Sequence, residues 1–587
     1  MRKFFLSLIA LLVPEIVNAT IYEVVGTDVL NGGILNAKDT QNVHGVVNRY
    51  LVEGTQNIYD YGTAYYNNIV NSGQQNVYSG GRSLNSSVFG GIINGLGGEI
   101  SDATLNGGTI NLEKGRANNF VVTSGNLNIF STAVLNGLEA VGGDISLYKG
   151  GAIENDISIQ NSTLKIMGDN RLESLKMQSG VIELIPINNI PSKLEVNDLQ
   201  GNGRIDIRTN FANGDNEVLK IGQGNGNFGL SIIDIGSGEN IAEHITLLPK
   251  NSANQENLYL VGGELDIGAK KYILQENDTS WFLQQTLTPT DTAIIAKDTY
   301  ATMSSVLYSH MNGIYSRQGE FRRNLESGIW VKGLGQKIKF DLNHNSKTEV
   351  DIYGVQLGVD YALKINGFKN INIGVGVGYS DSKYNFDVYG QGDGESYSTS
   401  IYSTLLMYNN SYIDLVAGYY WHKQKNKSYV PSGLQVNSKY NLNAYILSVE
   451  IGRRFGFKDG YFIEPQMQIS YMNVDDVDYM TSLNTKVKGL GLDSMMGRIG
   501  LMLGKNWQGK GEVYFSAGLI KEFDTKTKIK VADVVFNEEL DETLLQFGIG
   551  TDLQLTDKAR FYADVATTLG DDIKVPIEGN LGIKLEF

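Results

Sequence analysis

The feature that most limits how this chain can fold is a phrase written twice at a fixed distance. Gln56-Asn57-Ile58-Tyr59 returns as Gln75-Asn76-Val77-Tyr78, and the polar, glycine-punctuated text after each copy leads to a branched apolar residue, Ile69 and then Val88. The period is 19 residues. "LGGEISDATLNGG" at Leu96 to Gly108 matches in outline, with Gly62, Gly81 and Gly98 in register at spacings of 19 and 17, and looser echoes run on through "AVLNGLEAVGGDISLYKGGAIENDISIQNSTLKI". A period near 20 built from β-branched residues, asparagines and glycine corners predicts the coil of a solenoid, because one such unit cannot bury its apolar side chains alone and must stack on the next. A globular sandwich is the alternative, but it would not require glycines in register. The leucine spacing of a leucine-rich repeat and the glycine-aspartate calcium nonapeptide are both missing, which favours a right-handed parallel β-helix. Asn67, Asn68, Asn76, Asn85, Asn94 and Asn106 are expected near its corners, where asparagine tolerates left-handed backbone angles and stacks in ladders.

From Ser327 the rhythm changes. Segments such as "GIWVKGLGQKIKF", "DIYGVQLGVDYAL", "STSIYSTLLMYNN" and "YFIEPQMQISYMNV" alternate apolar with polar or small residues over roughly ten positions, the pattern of strands with one face in lipid and one in a lumen. Tyrosine and tryptophan gather near the segment ends, as interfacial girdles require. About twelve strands are expected, closed into an antiparallel outer-membrane barrel. The last of them, "NLGIKLEF", places Leu581, Ile583, Leu585 and Phe587 on a single face. Between the halves, "DTAIIAKDTYATMSSVLYSHMNGIYSRQGEFRR" has about 30 residues of helical character without proline, with Asp291 a plausible N-cap after Pro289. At 1.5 Å per residue it would cover about 45 Å, enough to thread a barrel, and its Ser, Arg, His and Gln content suits a polar lumen. An ordinary interdomain linker is the alternative.

Composition narrows what such an architecture does. The chain has 587 residues, more than one core normally serves, with 69 glycines, 8 prolines and no cysteine. That excludes disulfides, thiolate metal sites and cysteine nucleophiles. The net charge of −15 argues against a nucleic-acid partner, which needs a basic face. Arg2 and Lys3 precede an apolar run from Phe4 to Val13, and Val17-Asn18-Ala19 has residues a signal peptidase accepts, so a secretory signal peptide cleaved after Ala19 is expected. The apolar run is too short to span a bilayer as a helix. No catalytic block emerges. His44 and His244 are the only histidines of the solenoid half, there is no Gly-x-Ser-x-Gly elbow, His-Glu-x-x-His or phosphate loop, and "GQGNGNFG" at Gly222 to Gly229 reads as a turn. Asp206, Asp215 and Glu217 are carboxylates of the kind any acidic chain supplies. No metal, no cofactor and no enzymatic activity are expected.

Several stretches resemble known proteins. "Q-N-V-Y-S-G-G-x-S-x-x-S-x-V" between Gln41 and about Gly108 is similar to the repeats of AIDA-type self-associating autotransporters, surface β-helices that join bacteria to each other and to host cells. "GNGRIDIRTNFANGDNEVLKIGQGNGNFGLSIIDIGSG" and "LYLVGGELDIGAKKYILQENDTSWFLQQ" look like the C-terminal part of pertactin-like passengers, with Tyr272, Leu274, Trp281 and Leu283 at that family's Tyr-x-Leu and Trp-x-Leu positions. The resemblance implies a cap that folds first and templates the other coils. "RQGEFRRNLESGIWVKGLGQ" with "YGVQLGVDY", and the aromatic C-terminus, resemble the autotransporter translocator domain and its barrel-insertion signal. The implied organisation is a signal peptide at 1–19, a repetitive β-helix at 20–199, a cap at 200–288, a lumenal helix at 289–323 and a barrel at 324–587. The implied life history runs through the Sec translocon and the periplasm to the barrel assembly machinery and outer-membrane lipid. It ends with a passenger at the cell surface acting as an adhesin or self-association factor, whose partner is a host surface or an identical passenger. A passenger binding a host protein, or an enzyme, is the alternative.

Two finer implications follow from the resemblance. AIDA-type repeats carry heptose on serine or threonine, and Thr63, Ser83, Ser86 and Ser87 fall in matching positions, expected to face outward. Aligning "SRQGEFR" at Ser316 to Arg322 with the "KRMGDLR" of serine-protease autotransporters places Asn312 where that family has the first of two adjacent asparagines. There the asparagine side chain attacks its own peptide carbonyl, helped by barrel carboxylates. The second asparagine is Gly313 in this chain, so Asn312-Gly313 is either a self-cleavage site or a kink in an uncleaved plug.

Overall fold

A computed structural model describes residues 19–587, apart from 215, 251–254, 324–325, 508–509 and 525. Residues 1–18 of the expected signal peptide, and Asp215, lie outside the described residues; Ala19 is the first residue described. The chain forms two compact units.

The first unit is a parallel β-helix. Ile21–Val24 pairs with Thr40–Val43, which pairs with the rung at Thr55–Ile58, and that with Gln74–Tyr78. The ladder continues through Ile92–Leu96 and on to Leu194–Thr209, Leu219–Asp234 and Gln255–Leu260, every pairing parallel. The repeated phrase is one rung written out. Strand alternation sends Gln56 and Ile58 inward and leaves Asn57 and Tyr59 outside, and Gln75, Val77, Asn76 and Tyr78 repeat the choice 19 residues on. Ile69 and Val88 are partners in the adjoining sheet and are fully buried. The glycines in register sit where the preceding coil passes too close for a side chain: a Cβ on Gly62 would lie 2.1 Å from the Val43 carbonyl oxygen.

The interior of these first coils is partly polar, and its members satisfy one another. Gln56 Nε2 donates to Gln41 Oε1 and Gln75 Nε2 to Gln56 Oε1, each at 2.7 Å; Asn67 Nδ2 adds a bond to Gln56 at 2.9 Å, and Ser83 Oγ donates to Gln75 Oε1 at 2.7 Å. Buried amides without such partners would cost about 1–3 kcal/mol each, so a coil that slipped in register would forfeit the network. Of the six asparagines expected at corners, only Asn85 has a left-handed backbone, with φ 54°. Asn67 is an interior donor, while Asn76 and Asn94 lie mid-strand on the outer face. The stack ends in a four-stranded sheet in the order His244–Pro249, Ser280–Pro289, Lys270–Glu276, Leu265–Ile267, whose first pair is antiparallel.

The second unit is a closed barrel of twelve antiparallel strands. Gly328–Leu342 closes it against Ile573–Glu586, with Gly328 opposite Glu586. Strands run from 11 residues at Ala559–Leu569 to 19 at Ser411–Tyr429, longer than the expected ten because their ends extend past the apolar band. Turns at one end are short, as at 364–369 and 557–558, whereas the other end carries long connections at 475–491 and around 525–542. Parts of those connections, Val477–Met480, Lys486–Gly489, Lys526–Val531 and Val534–Glu539, form a sheet of their own. Among the described residues no helix is long and apolar enough to cross a membrane; the strands make the crossing.

The linking segment is helical, as α1 (Asp291–Ala301) and α2 (Met303–Arg323). The N-cap is Thr290 rather than Asp291: the threonine oxygen accepts from Ala293 N at 3.2 Å, and Asp291 occupies the first turn, where its charge meets the positive end of the helix.

Candidate functional site

Two places bring polar side chains together, and the first is the outer face of the β-helix. Asn42, Asn57, Asn76, Asn94, Asn111 and Asn128 form one continuous ladder, each Nδ2 donating to the Oδ1 of the preceding rung at 2.9–3.0 Å. Along the ladder an amide spends one N–H and one oxygen lone pair; Asn76 is itself buried and its oxygen also accepts from Gln74 Nε2 at 2.8 Å, so the donors and acceptors left for a partner lie at the other rungs. Beside it runs a ring column. His44 and Tyr59 stack with centroids 5.0 Å apart, Tyr59 and Tyr78 at 4.8 Å, and the column resumes with Phe130 and Tyr148 at 4.5 Å. Desolvation in the column, with Tyr78 as the next contribution, raises the Tyr59 phenol above its ordinary value, so it stays uncharged. From Thr40 to Asn111 the outward positions of these rungs carry no Lys, Arg, Asp or Glu; the neutral patch is bounded by Glu23 above, which accepts from Asn42 Nδ2 at 2.6 Å, and Glu113 below. In a chain of net charge −15 that is an unusual surface.

The second place is the barrel lumen. The helix is bonded to six strands of the wall. Thr292 Oγ1 lies 2.7 Å from Ser428 Oγ, Thr348 Oγ1 donates to Asp298 Oδ2 at 2.8 Å, and Tyr308 Oη lies 2.9 Å from Ser494 Oγ. His310 Nε2 is 2.7 Å from Ser380 Oγ and its Nδ1 3.2 Å from Ser398 Oγ. The sixth contact joins Asn312 Nδ2 to Glu578 Oε1 at 3.3 Å. Asn312 and Glu578 open onto a cavity of about 180 Å³ that Glu450, Arg498 and Asp564 also line. Near α1 a buried ion cluster ties the helix to the long connections: Lys297 Nζ lies 2.9 Å from Asp298 Oδ1 and 2.5 Å from Glu538 Oε1, and donates to the Asn343 carbonyl at 2.8 Å.

The residues singled out in the sequence fall as follows. Tyr272, Trp281 and Leu283 are buried in the terminal sheet, with Tyr272 Oη donating to the Ala242 carbonyl at 2.9 Å; Leu274 is half-buried. Leu581, Ile583, Leu585 and Phe587 all face outward from the last strand, and Lys584 turns inward to donate to the Glu326 carbonyl at 2.7 Å. Asn312 and Gly313 lie within α2, and only Asn312 has a described side chain. The outward placement expected of the four hydroxyls is corrected for two of them. Ser83 and Ser86 are buried and bonded to each other at 3.0 Å: strand alternation turns Ser83 toward Gln75, and Ser86, in the bend before the next strand, meets Ser83; Thr63 and Ser87 keep part of their surface. Asp206 is ion-paired with Arg204 at 2.7 Å. Among the described residues no cluster of His, Asp and Glu has the arrangement of a metal site. The sequence did not single out Glu578, Glu538 or Lys297, which lie on the last barrel strand, on the strand Val534–Glu539 of the long connection and on α1.

Comparison with known proteins matches residues 329–566 to the autotransporter β-domain and residues 172–285 to the pertactin family. The chain is 23% identical to the autotransporter CRAC of Citrobacter rodentium, over 92% of this chain and 36% of that protein, and 27% identical to the pertactin autotransporter of Bordetella parapertussis, over 48% and 31%. It is 20% identical to the autotransporter adhesin/invasin TibA of Escherichia coli, over 95% and 62%. The chain thus spans about a third to three-fifths of the length of these relatives. Among solved structures, the transport unit of the E. coli autotransporter AIDA-I covers 47% of this chain at 20% identity and a TM-score of 0.41, and the β-domain of Bordetella BrkA covers 45% at 21% and 0.37, with 98% and 100% of those chains covered.

Proposed function

We propose, from the premise that this chain is an autotransporter, that its barrel carries the β-helix to the cell surface and that the β-helix there holds cells together by pairing with a second copy of itself. The observation that carries this reading is the neutral ladder face between Thr40 and Asn111. Two copies of an acidic protein repel each other over most of their surfaces, but not across this patch. There the rungs are spaced at about 4.8 Å, and the leftover amide donors and acceptors on either side of the buried Asn76 recur at multiples of that spacing, so a second ladder can meet them in register. Each bond is weak, and many passengers per cell supply avidity. The name of the TibA relative, an adhesin/invasin, agrees with a binding role.

The test is sedimentation of a non-aggregating Gram-negative host displaying the full chain. Cells should settle faster than vector controls, and Thr55→Glu with Ile92→Glu, which puts two charges on outward positions of the patch, should abolish the difference while the passenger stays displayed. Settling unchanged from the vector, with the passenger exposed, would overturn the reading and leave attachment to a host surface.

The contact between Asn312 and Glu578 supports a second activity of the same chain, self-cleavage at Asn312-Gly313. Asn312 Nδ2 bonds to its own backbone carbonyl carbon, the bond to the Gly313 nitrogen breaks, and the proton taken by Glu578 passes to the departing amine. A succinimide remains on the passenger side. Gly313 offers no side chain to hinder ring closure.

A further inference from the structure

The small sheet built by the long connections prolongs four barrel strands. Its order, Val477–Met480, Lys486–Gly489, Lys526–Val531, Val534–Glu539, repeats that of Tyr461–Val474, Leu492–Asn506, Gly511–Asp524 and Thr543–Thr556, which its members adjoin in sequence. Strand alternation gives the sheet two unlike faces. Val477, Tyr479, Val487, Ile529, Val531 and Phe536 turn inward and join the apolar cluster around Tyr300 and Met303 of the lumenal helices. The opposite face carries Lys486, Lys488, Lys526, Lys528 and Lys530 against two acids, Asp478 and Glu539. Asp478 pairs with Lys488 at 3.0 Å and Glu539 reaches Lys526 at 4.0 Å; among the described residues Lys486, Lys528 and Lys530 make no ion pair. Lys488 and Lys530 stand directly opposite each other in the register, and like charges so placed weaken a sheet unless an anion lies between them.

Next to this face the lipid-facing wall is recessed. A groove of about 380 Å³ runs between Ile469, Ile499, Leu519 and Phe523. The Phe523 ring leans across Gly497 as its wall, where a Cβ on the glycine would come within 2.6 Å of the ring. Tyr471, one outward position beyond Ile469, lies with its ring centroid 6.2 Å from that of Tyr445 and marks the membrane interface. Lys521, opposite Gly497 in the register, also lines the groove and is paired with Asp541 at 2.5 Å. Asp493, between the groove and the lysines, accepts from Tyr471 Oη at 2.7 Å and from Asn473 Nδ2 at 2.9 Å.

We propose that the groove and the lysine face are one site, for a lipid of the outer leaflet that carries more than one phosphate. An acyl chain lies in the groove beside Phe523, and the phosphates rest on Lys486, Lys528 and Lys530, which bind them as point charges. A membrane lipid presents an apolar chain at the depth of the strands and its anions just beyond the tyrosine belt, which is the order in which the groove, Tyr471 and the lysines follow one another. Lysines elsewhere on the wall are countered by the protein itself: Lys423 lies 5.4 Å from the centre of the Tyr397 ring, and Lys425 3.5 Å from Glu395. The site requires only that the barrel sits in the outer membrane, and is independent of passenger pairing and of cleavage at Asn312.

The test adds lipid A, which has two phosphates, to the full chain purified in a non-ionic detergent, and measures bound lipid by native mass spectrometry. One tightly bound molecule per chain is expected, with phosphatidylglycerol, which has one phosphate, bound far more weakly. Lys486→Gln, Lys528→Gln and Lys530→Gln together should weaken lipid A about a hundredfold, at about fivefold for each lysine beside an anionic lipid. Gly497→Leu drives Phe523 into the groove and should weaken it about tenfold, the effect of displacing two buried methylenes. Lys423→Gln with Lys425→Gln should bind as the parent does, and all variants should keep the parent's heat-dependent gel shift. Lipid A that does not bind the parent, that binds the triple variant or Gly497→Leu as it binds the parent, or that is lost equally from the Lys423→Gln, Lys425→Gln control would overturn the proposal. So would phosphatidylglycerol bound as tightly as lipid A.

Discussion

Lys297→Met is expected to lower the temperature at which the folded barrel loses its resistance to detergent by roughly 10 °C. The lysine is buried between Asp298 and Glu538, and its removal leaves two carboxylates without their counter-charge in a site closed to water. Breaking a buried pair from one side costs about 3–5 kcal/mol, and for a domain of this size each kcal/mol moves the midpoint by about 2–4 °C. The same variant combined with Asp298→Asn and Glu538→Gln should recover most of the loss, since it is the stranded charge and not the missing attraction that costs most. The measurement is the heat-dependent shift of the barrel band on a denaturing gel. A single variant that unfolds with the parent would show that the cluster is solvated and contributes nothing to holding α1.

The second large effect concerns the lumen. If Asn312 cuts its own chain, outer membranes should contain a barrel fragment of 275 residues, Gly313 to Phe587. Asn312→Asp should abolish the fragment, because a carboxylate is a poor nucleophile toward its own amide. Glu578→Gln keeps a hydrogen-bonding partner but removes the base, so cleavage should slow by a factor on the order of 10² or more. Mass measurement of the barrel band distinguishes these outcomes. A band of full-length mature chain alone would establish Asn312-Gly313 as part of an intact plug.

The repeat was legible in the sequence down to single positions because a β-helix converts a sequence period directly into contacts: Gln56 meets Gln75 and Asn57 meets Asn76 at the separation the text displays. The barrel was legible for the same kind of reason, alternation along each strand. What the period did not reveal was direction. Asn67 reads as a corner residue and Ser83 and Ser86 as outward-facing, and the interior network built on the glutamines takes all three inward. The N-cap fell one residue early because Thr290 and Asp291 are both competent caps and only the turn geometry chooses between them. In the lumen, Asn312 was legible from its place before "SRQGEFR", but which carboxylate it meets, and the buried ion cluster, were not. Asn312 and Glu578 are 266 residues apart, and Lys297 and Glu538 are 241 apart, with closure of the barrel as the only thing that joins them.

That the barrel displays the β-helix outside the cell is the claim on which the rest depends, and the absence of cysteine makes it directly measurable. One cysteine introduced at Ser79, an exposed turn of the β-helix, reports on that half alone, and one at Asp557, in a short turn on the side of the strand termini, reports on the opposite side of the membrane. Short turns face the periplasm in barrels of this class. A maleimide that cannot cross the outer membrane should label Ser79→Cys on intact cells and should label Asp557→Cys only after the membrane is broken. Labelling of Asp557→Cys but not Ser79→Cys on intact cells would contradict the account.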